Sequence, residues 1–485
     1  MRVPKKTYIK EPGRSTWPEH ALRSVARAAA PLDLPLLLGG ALLPLARDKS
    51  PWRADRPARM LRAPPSWTRP VGRTGRRGWS GAPPPADLPR AAGSAPFAWE
   101  RSPSRPSTRR LLLSVTLAIA SLAVPHDPSS PLHPAGAHAA VGCAATPDVE
   151  LIPLDGADGP ESLVFDDHGG GPFTGVSDGR ILHWQGQGRG WRQFAISAPN
   201  VRRELCDRSQ YGSSSEHFCG RPLGLQFNYK TGELYVADAY LGLLSVAAGG
   251  NHTKVVATEA HGVPFRFTNG VDIDQETGTV YFTDSSTRFQ RREFILATIA
   301  GDKTGRLMKY DPATEELEVL LDELSFPNGV VLSRDGNFLL VVETIPCRVL
   351  RYWLRTPRAG TVEVFSDLPG FPDNIKRSPR GGFWVALHSK RSKFLQWVLP
   401  LPWLGEVLRR VPVDVERLSY WFLKWTARAS ALRLGEEGEV LEVVGGMGCP
   451  ELRFISEIEE REGRLWIGSV VMPHVGVYNL TLERS

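Results

Sequence analysis

Four positions of this sequence carry side chains that suit a metal ion, and they occupy the same place in a repeated phrase. The phrase occurs six times, and each copy contains a short apolar run. Two residues before that run, four copies have a carboxylate or an amide: Glu161, Asn269, Asn328 and Asp373. The other two have Leu223 and Ser456. Hard divalent cations such as Ca²⁺ take carboxylate and amide oxygens, and two carboxylates balance the charge of one ion. We therefore predict a metal site that supports Lewis-acid hydrolysis; the alternative is that these are ordinary turn residues before strands.

A second series of polar residues stands at the end of the following apolar run. It consists of Asp178, Asp238, Asp284, Glu343 and His388. Carboxylates at strand ends commonly cap the next turn, so these acids are either pocket residues or caps. His388 is the one imidazole in the series. We predict Asp373 and His388 as catalytic residues, with His388 as a proton shuttle, the alternative being a hydrogen-bonded structural histidine.

The element that must position these side chains is a repeat of two short strands around a glycine turn. One copy runs from Phe326 through Asn328 to Leu332, turns at Asp335-Gly336-Asn337, and returns from Phe338 to Glu343. Self-similarity at roughly 40 to 60 residues, with short strands and glycine turns, is typical of a β-propeller. Six copies predict an all-β, six-bladed propeller over residues 145–485, in which the heads of the inner strands converge near the axis.

The two ends of the chain differ in composition. The 485 residues carry a formal net charge of +7, but residues 1–110 hold 22 Lys or Arg and 7 Asp or Glu, against 37 and 45 in the rest. The propeller region is therefore mildly acidic, and we expect no nucleic-acid partner. Residues 1–108 are rich in Pro, Arg, Ala and Gly and predict a disordered basic leader, which is either a binding arm or an artefactual extension of the gene model.

Residues 109–140 look like a secretory signal peptide. Arg109-Arg110 precedes fourteen mostly apolar residues, and Ala137-His138-Ala139 has the small-x-small pattern of a cleavage site. The competing interpretation is a signal-anchor. Either one predicts the secretory pathway, in the endoplasmic reticulum, the vacuole or outside the cell. Glycosylation acceptors at Asn251 and Asn479 fit that compartment.

Two of the five cysteines flank one polar loop. In an oxidising lumen Cys206 and Cys219 would close it, a stabilisation of about 3 kcal/mol in the chain-entropy model, whereas elsewhere they would be free thiols. A separate insertion, residues 390–430, has Leu and Trp at helical spacing among basic residues. It predicts amphipathic helices that form a lid over the pocket, contact a membrane surface, or pack on the propeller rim.

Several longer motifs resemble the plant strictosidine synthase-like family over about residues 145–480. They are Phe218-Cys219-Gly220-Arg221-Pro222-Leu223-Gly224-Leu225, Leu234-Tyr235-Val236-Ala237-Asp238-Ala239-Tyr240, Phe282-Thr283-Asp284-Ser285-Ser286, Gly305-Arg306-Leu307-Met308-Lys309-Tyr310-Asp311 and Leu368-Pro369-Gly370-Phe371-Pro372-Asp373-Asn374. The resemblance implies a six-bladed propeller and a loop disulfide between Cys206 and Cys219. Strictosidine synthase itself condenses tryptamine with secologanin by a Pictet-Spengler reaction, using a glutamate base. The matching position here is Ser456, which has no activating base, and the neighbouring Glu457 is predicted to point to the opposite face of its strand.

A more distant resemblance links the chain to propeller hydrolases, the paraoxonases, the senescence marker lactonases and the adipocyte membrane-associated arylesterase-like protein. Their Glu, Asn, Asn, Asp ion set maps onto Glu161, Asn269, Asn328 and Asp373, and Asp373 is similar to the base assigned in the lactonases. The leading hypothesis is therefore a calcium-dependent hydrolase that takes a small-molecule ester or lactone. The alternatives are a Pictet-Spengler enzyme and a non-catalytic propeller scaffold.

Overall fold

The part of the chain that the structure describes contains six four-stranded antiparallel sheets, the blades of a β-propeller. The computed structural model describes residues 149–154, 156–206, 215–251, 253–391, 430–445, 449 and 451–480. The predicted leader, the signal-like segment and residues 392–429 of the predicted insertion lie outside these ranges. The prediction of an all-β, six-bladed propeller is confirmed.

Each blade is a meander that runs from the axis outward, and the blades follow one another along the chain. Blade 1 consists of β2 (Leu163–Val164), β3 (Phe173–Gly175), β4 (Arg180–Trp184) and β5 (Trp191–Ile196). Blade 2 consists of β6 (Pro222–Asn228), β7 (Glu233–Asp238), β8 (Gly242–Val246) and β9 (Thr253–Ala257). Blade 3 consists of β12 (Thr268–Ile273), β13 (Val280–Asp284), β14 (Gly305–Asp311) and β15 (Glu316–Leu324). Blade 4 consists of β16 (Pro327–Leu332), β17 (Phe338–Glu343), β18 (Arg348–Trp353) and β19 (Val362–Asp367). Blade 5 consists of β20 (Gly370–Arg377), β21 (Phe383–Lys390), β22 (Ser430–Leu434) and β23 (Val440–Gly445).

Blade 6 closes the ring, because it combines the two ends of the propeller. Its inner strands are β24 (Ile455–Arg461), β25 (Arg464–Ser469) and β26 (His474–Asn479), and its outermost strand is β1 (Val149–Pro153). β1 pairs with β26 from Val149 opposite Tyr478 to Pro153 opposite His474. β1 therefore completes the four strands of blade 6 and joins the two ends of the propeller.

The remaining elements are short. A small hairpin pairs β10 (Glu259–Ala260) with β11 (Val263–Pro264). Among the described residues, the α-helices are α1 (Glu216–Cys219) and α2 (Phe294–Ala300), and 3₁₀ turns cover Arg203–Cys206 and Arg291–Glu293. Within the described ranges, no helix has the length and apolar character needed to cross a membrane.

The blades pack face to face, which explains why their strands are apolar on both sides. Every residue of β17 is buried. Leu339 belongs to the cluster shared with blade 3, whereas Leu340 belongs to the cluster shared with blade 5. Because successive strand residues point to opposite faces, a strand between two neighbouring blades needs a continuous apolar run rather than alternation.

A β-bulge interrupts the inner strand of blades 2 to 6 at the same place. The pairing register shifts after Pro222, Thr268, Pro327, Pro372 and Ile455. A bulge sets two residues against one on the neighbouring strand and changes the direction of their side chains. The candidate ligands of blades 3, 4 and 5 lie within these bulges, so the bulge is the local device that positions them.

Candidate metal centre at the propeller axis

All four predicted ligands are buried at the heads of their blades. Glu161, Asn269, Asn328 and Asp373 are between 1% and 6% exposed. The side chain of Asn328 hydrogen-bonds to Asp373, and Asn374 Nδ2 donates to Glu161 Oε1 at 3.2 Å. The first contact joins the heads of blades 4 and 5, which follow each other along the chain. The second joins the heads of blades 5 and 1, which do not. The structure therefore brings Glu161, Asn328 and Asp373 into one polar cluster.

Glycine at the position after a ligand lets neighbouring inner strands approach closely. A Cβ atom added at Gly270 would lie 2.6 Å from the carbonyl oxygen of Asn328, and one at Gly329 would lie 2.7 Å from the Cα of Asn374. Contacts this short involve backbone atoms and cannot be relieved by a side-chain movement. The Asn-Gly pairs are thus a packing requirement of this narrow ring, and they connect the head of blade 3 to that of blade 4.

A hydroxyl group fixes the orientation of each candidate amide in the same way in two successive blades. Asn269 Nδ2 donates to Ser285 Oγ at 3.0 Å, and Ser285 Oγ donates to the carbonyl oxygen of Pro327 at 2.7 Å. In the next blade, Asn328 Nδ2 donates to Thr344 Oγ1 at 3.3 Å, and this hydroxyl donates to the carbonyl oxygen of Pro372 at 2.8 Å. Because each amide nitrogen is used in this way, its Oδ1 atom is the end left for a ligand.

Three oxygens of the predicted set lack a hydrogen-bond partner within the described residues. They are Glu161 Oε2, Asn269 Oδ1 and Asn328 Oδ1, all of them buried. A buried polar atom without a partner costs about 1–3 kcal/mol, and most folded proteins are stable by only about 5–15 kcal/mol. Three such atoms on candidate ligands are a chemical reason to expect a bound cation.

The electrostatics of the two carboxylates point the same way. Burial, and next the charge of Asp373, raise the pKa of Glu161 well above its usual value. Burial raises the pKa of Asp373 to about 7, and the hydrogen bond with Asn328 only partly offsets this. Two buried carboxylates that oppose each other's ionisation are stabilised by an added positive charge. Hence the donor set fits a hard divalent cation.

Such a cation would depend on amide oxygens. Across the described ranges, no group of three or more His, Cys, Asp and Glu side chains is arranged to hold a metal ion. The candidate centre has two carboxylates and two amides, so it differs from a carboxylate or histidine cluster in its chemistry.

The acids of the second series bind groups of their own blades. Asp284 pairs with Arg306 at 2.8 Å, and Glu343 pairs with Arg348 at 2.6 Å. Asp178 pairs with Arg180, and Asp238 accepts hydrogen bonds from two turn amides. These contacts favour the capping interpretation over the pocket one.

His388 lies beside Phe454 rather than within the carboxylate cluster. Its Nδ1 atom is 3.5 Å from Ser389 Oγ, and the centroids of the His388 and Phe454 rings are 5.1 Å apart. Burial lowers the pKa of His388 to about 4. The imidazole is therefore neutral and weakly basic at pH 7, and its catalytic role stays a prediction.

The prediction for Glu457 was wrong, and the bulge in β24 is the reason. Simple alternation places its side chain on the opposite face from Ser456, but the register shifts between Ile455 and Ile458. The Glu457 carboxylate accepts hydrogen bonds from Ser162, and its charge raises the pKa of both Glu161 and Asp373. Ser456 donates its hydroxyl to the carbonyl oxygen of Glu161. Glu457 therefore belongs to the axial cluster, together with Asn374, which the sequence pattern also did not single out.

A groove of about 510 Å³ lies elsewhere, between blades 1 and 2. Its lining includes Phe173, His183, Tyr229 and the predicted glycosylation acceptor Asn251, and it contains none of the four candidate ligands. The predicted disulfide is present: Cys206 and Cys219 are bonded, with 5.7 Å between their Cα atoms.

Comparisons with known proteins identify the family. A model described as "Strictosidine synthase" matches residues 269–357, and one described as "Strictosidine synthase-like, N-terminal" matches residues 147–184. The Arabidopsis thaliana protein strictosidine synthase-like 10 is 52% identical over 334 residues, which cover 69% of this chain and 88% of the relative. The chain belongs to the strictosidine synthase-like family. Strictosidine synthase-like 2 from the same plant is 48% identical over 342 residues, covering 69% of this chain and 90% of that protein.

More distant likeness is found among solved propellers. A gluconolactonase from Xanthomonas campestris has a TM-score of 0.45 and 13% identity, covering 72% of this chain and 98% of that one. A calcium-binding regucalcin from Agrobacterium tumefaciens has a TM-score of 0.42 and 12% identity, covering 67% of this chain and 94% of that one.

Proposed function

We propose that this strictosidine synthase-like protein is a calcium-dependent hydrolase of small-molecule esters or lactones. The observation that carries the proposal is the set of buried, unpartnered oxygens on Glu161, Asn269 and Asn328, together with the buried carboxylate of Asp373, which is hydrogen-bonded to Asn328. Four oxygen side chains from four blades are the ligand type that Ca²⁺ prefers, and they leave further coordination positions for water or substrate. The proposal includes the secretory pathway, where Ca²⁺ is abundant and the Cys206–Cys219 disulfide persists.

The chain's own residues have separate tasks in this proposal. Glu161, Asn269, Asn328 and Asp373 would hold Ca²⁺, and Ser285 and Thr344 orient the two amides. A bound Ca²⁺ supplies Lewis acidity toward a carbonyl group and a water molecule. The carboxylate of Asp373 would accept the proton that the attacking water gives up. Burial of the cluster excludes bulk water and strengthens these interactions.

The condensation that gives the family its name is not the activity we propose. Ser456 occupies the position of the glutamate base, and its hydroxyl donates to the backbone carbonyl of Glu161. A serine without an activating base does not remove a proton at neutral pH. Incubation with tryptamine and secologanin is expected to give no product, and formation of strictosidine would contradict this assignment.

The direct test is calcium-dependent turnover on a panel of aryl esters and γ- and δ-lactones. Wild-type protein is expected to lose activity in EDTA and regain it with Ca²⁺, and Asp373→Asn is expected to lose at least 100-fold in kcat/KM. Asp178→Asn is the matched control, because Asp178 is a buried strand-end acid that pairs with Arg180 outside the cluster. Absence of turnover, together with a melting temperature that EDTA does not change, would favour a non-catalytic scaffold.

A further inference from the structure

One candidate ligand, Glu161, precedes the inner strand of its own blade, and its backbone N–H donates to the carbonyl oxygen of Gly175 in β3 at 3.2 Å. The inner strand of blade 1, β2, has only two residues, Leu163–Val164, and begins after Glu161. The inner strands of blades 2 to 6 have between six and eight residues. The short strand gives Glu161 little backbone pairing within its own blade, so contacts from neighbouring blades contribute to fixing its position.

Blade 6 contributes to that restraint through the carboxylate of Glu457. Glu457 accepts hydrogen bonds from Ser162 Oγ, at 3.0 and 3.1 Å to its two oxygens, and from the backbone N–H of Leu163. These are the two residues that directly follow Glu161. Ser469 N also donates to the carbonyl oxygen of Pro160 at 2.7 Å, so residues of blade 6 are hydrogen-bonded to the chain on both sides of Glu161.

Blade 5 in turn fixes the carboxylate of Glu457. Lys376 Nζ lies 3.5 Å from Glu457 Oε2, and the two side chains are 12% and 2% exposed. Burial alone would lower the pKa of Lys376, but the charges of Glu457 and Glu459 outweigh it. The ammonium group therefore stays charged, and a charge-assisted pair with little solvent screening has a defined geometry.

We propose that Glu457, held by Lys376, is a positioning residue that fixes Glu161 in the orientation needed to bind the metal ion. This inference rests on the proposed function, because it concerns the same ion. Blade 6 supplies no candidate ligand of its own, because Ser456 stands at the ligand position and donates its hydroxyl to the carbonyl oxygen of Glu161. The inference gives blade 6 the role of positioning a ligand that belongs to blade 1.

The test compares two conservative variants on one strand. Glu457→Asp keeps the negative charge but shortens the side chain by one methylene, so it cannot hold Ser162, Leu163 and Lys376 at once. Glu460→Asp is the matched control. Glu460 is also a buried carboxylate of β24 that bridges to blade 5, where it accepts from Ser378 Oγ at 2.6 Å and Trp384 Nε1 at 2.7 Å, away from Glu161.

Two measurements on the full chain separate positioning from general stability. Titration calorimetry with Ca²⁺ is expected to show at least a tenfold higher Kd for Glu457→Asp, and a Kd within twofold of wild type for Glu460→Asp. Hydrogen exchange is expected to show a protected Leu163 amide in the wild type and in Glu460→Asp, and an unprotected one in Glu457→Asp. Equal Ca²⁺ affinity in all three proteins, or an equal loss in both variants, would overturn the inference.

The exchange measurement also keeps the two proposals distinguishable. If the wild type binds no Ca²⁺, the proposed function fails, and the Leu163 amide alone then decides whether Glu457 restrains this segment. If Glu457→Asp does not fold, Ser162→Ala replaces it, because this variant removes one hydrogen bond to Glu457 and leaves the carboxylate in place. It is expected to raise the Kd three- to tenfold, and an unchanged Kd in a folded Ser162→Ala protein would refute the positioning role.

Discussion

The hydroxyl of Ser285 offers the sharpest test of how the amide ligands are oriented. It accepts a hydrogen bond from Asn269 Nδ2 and donates one to the carbonyl oxygen of Pro327. Ser285→Ala leaves both groups buried without this partner, and each such group costs about 1–3 kcal/mol. We therefore expect the free energy of unfolding in EDTA to fall by about 2–4 kcal/mol.

The same substitution has a second, separate effect on the ion. Without Ser285 the amide of Asn269 is free to rotate, so its Oδ1 atom must be ordered when Ca²⁺ binds, at a cost of about 0.5–1.5 kcal/mol. Because 1.4 kcal/mol corresponds to a factor of ten, the Kd for Ca²⁺ is expected to rise about two- to twelvefold. Titration calorimetry of metal-free protein measures this directly.

Ser366→Ala is the matched control. The Ser366 hydroxyl is also buried and donates to a carbonyl oxygen of the next blade, that of Gly438 at 2.9 Å, but it contacts no candidate ligand. It is expected to lower stability by about 1–2 kcal/mol while leaving the Kd for Ca²⁺ within twofold of wild type. If Ser285→Ala and Ser366→Ala change the Kd equally, the hydroxyl does not orient the amide and the reasoning is refuted.

Three further predictions follow from other parts of the propeller. Replacing Cys206 and Cys219 by serine is expected to destabilise the protein by about 3 kcal/mol in chemical unfolding, because it opens a loop with a sequence separation of 13, and an unchanged unfolding midpoint would contradict this. Burial raises the pKa of Glu459 to about 7, so the ionisation of this carboxyl group increasingly opposes folding as the pH rises from about 4.5 to 7. Glu459→Gln is therefore expected to raise the melting temperature at pH 8 and to leave it unchanged at pH 4. Equal shifts at the two pH values would contradict this sign. His388→Gln is expected to keep at least half of the wild-type kcat, since the neutral imidazole is a weak base, whereas a loss as large as that of Asp373→Asn would show that His388 acts in catalysis.

The fold was predictable because its sequence signal is repetitive. Apolar runs such as Phe338–Val342, each paired with a glycine turn, recur six times, and the blades require a continuous apolar run because each blade is covered on both faces. The closure of the ring was less visible, since β1 is separated from its partner β26 by the whole propeller. A pattern within one repeat carries no information about a contact between the two ends of the chain.

The candidate site was predictable only where its residues follow the repeat. Asn269 and Asn328 stand in register, and their Gly neighbours have a steric reason to be there. Glu457 was assigned to the wrong face because alternation holds for a regular strand, and a bulge changes it. The hydroxyls of Ser285 and Thr344 connect neighbouring blades, so their role appears only when the blades are side by side.

The central claim is that one divalent cation binds to Glu161, Asn269, Asn328 and Asp373. Calcium titration of the metal-free full chain, with the bound metal also measured by mass spectrometry, tests it most directly. We expect one Ca²⁺ per chain in the wild type and none in the double variant Asn269→Ala, Asn328→Ala. A wild-type protein that binds no divalent cation, or a folded double variant that binds Ca²⁺ as tightly as the wild type, would contradict the claim.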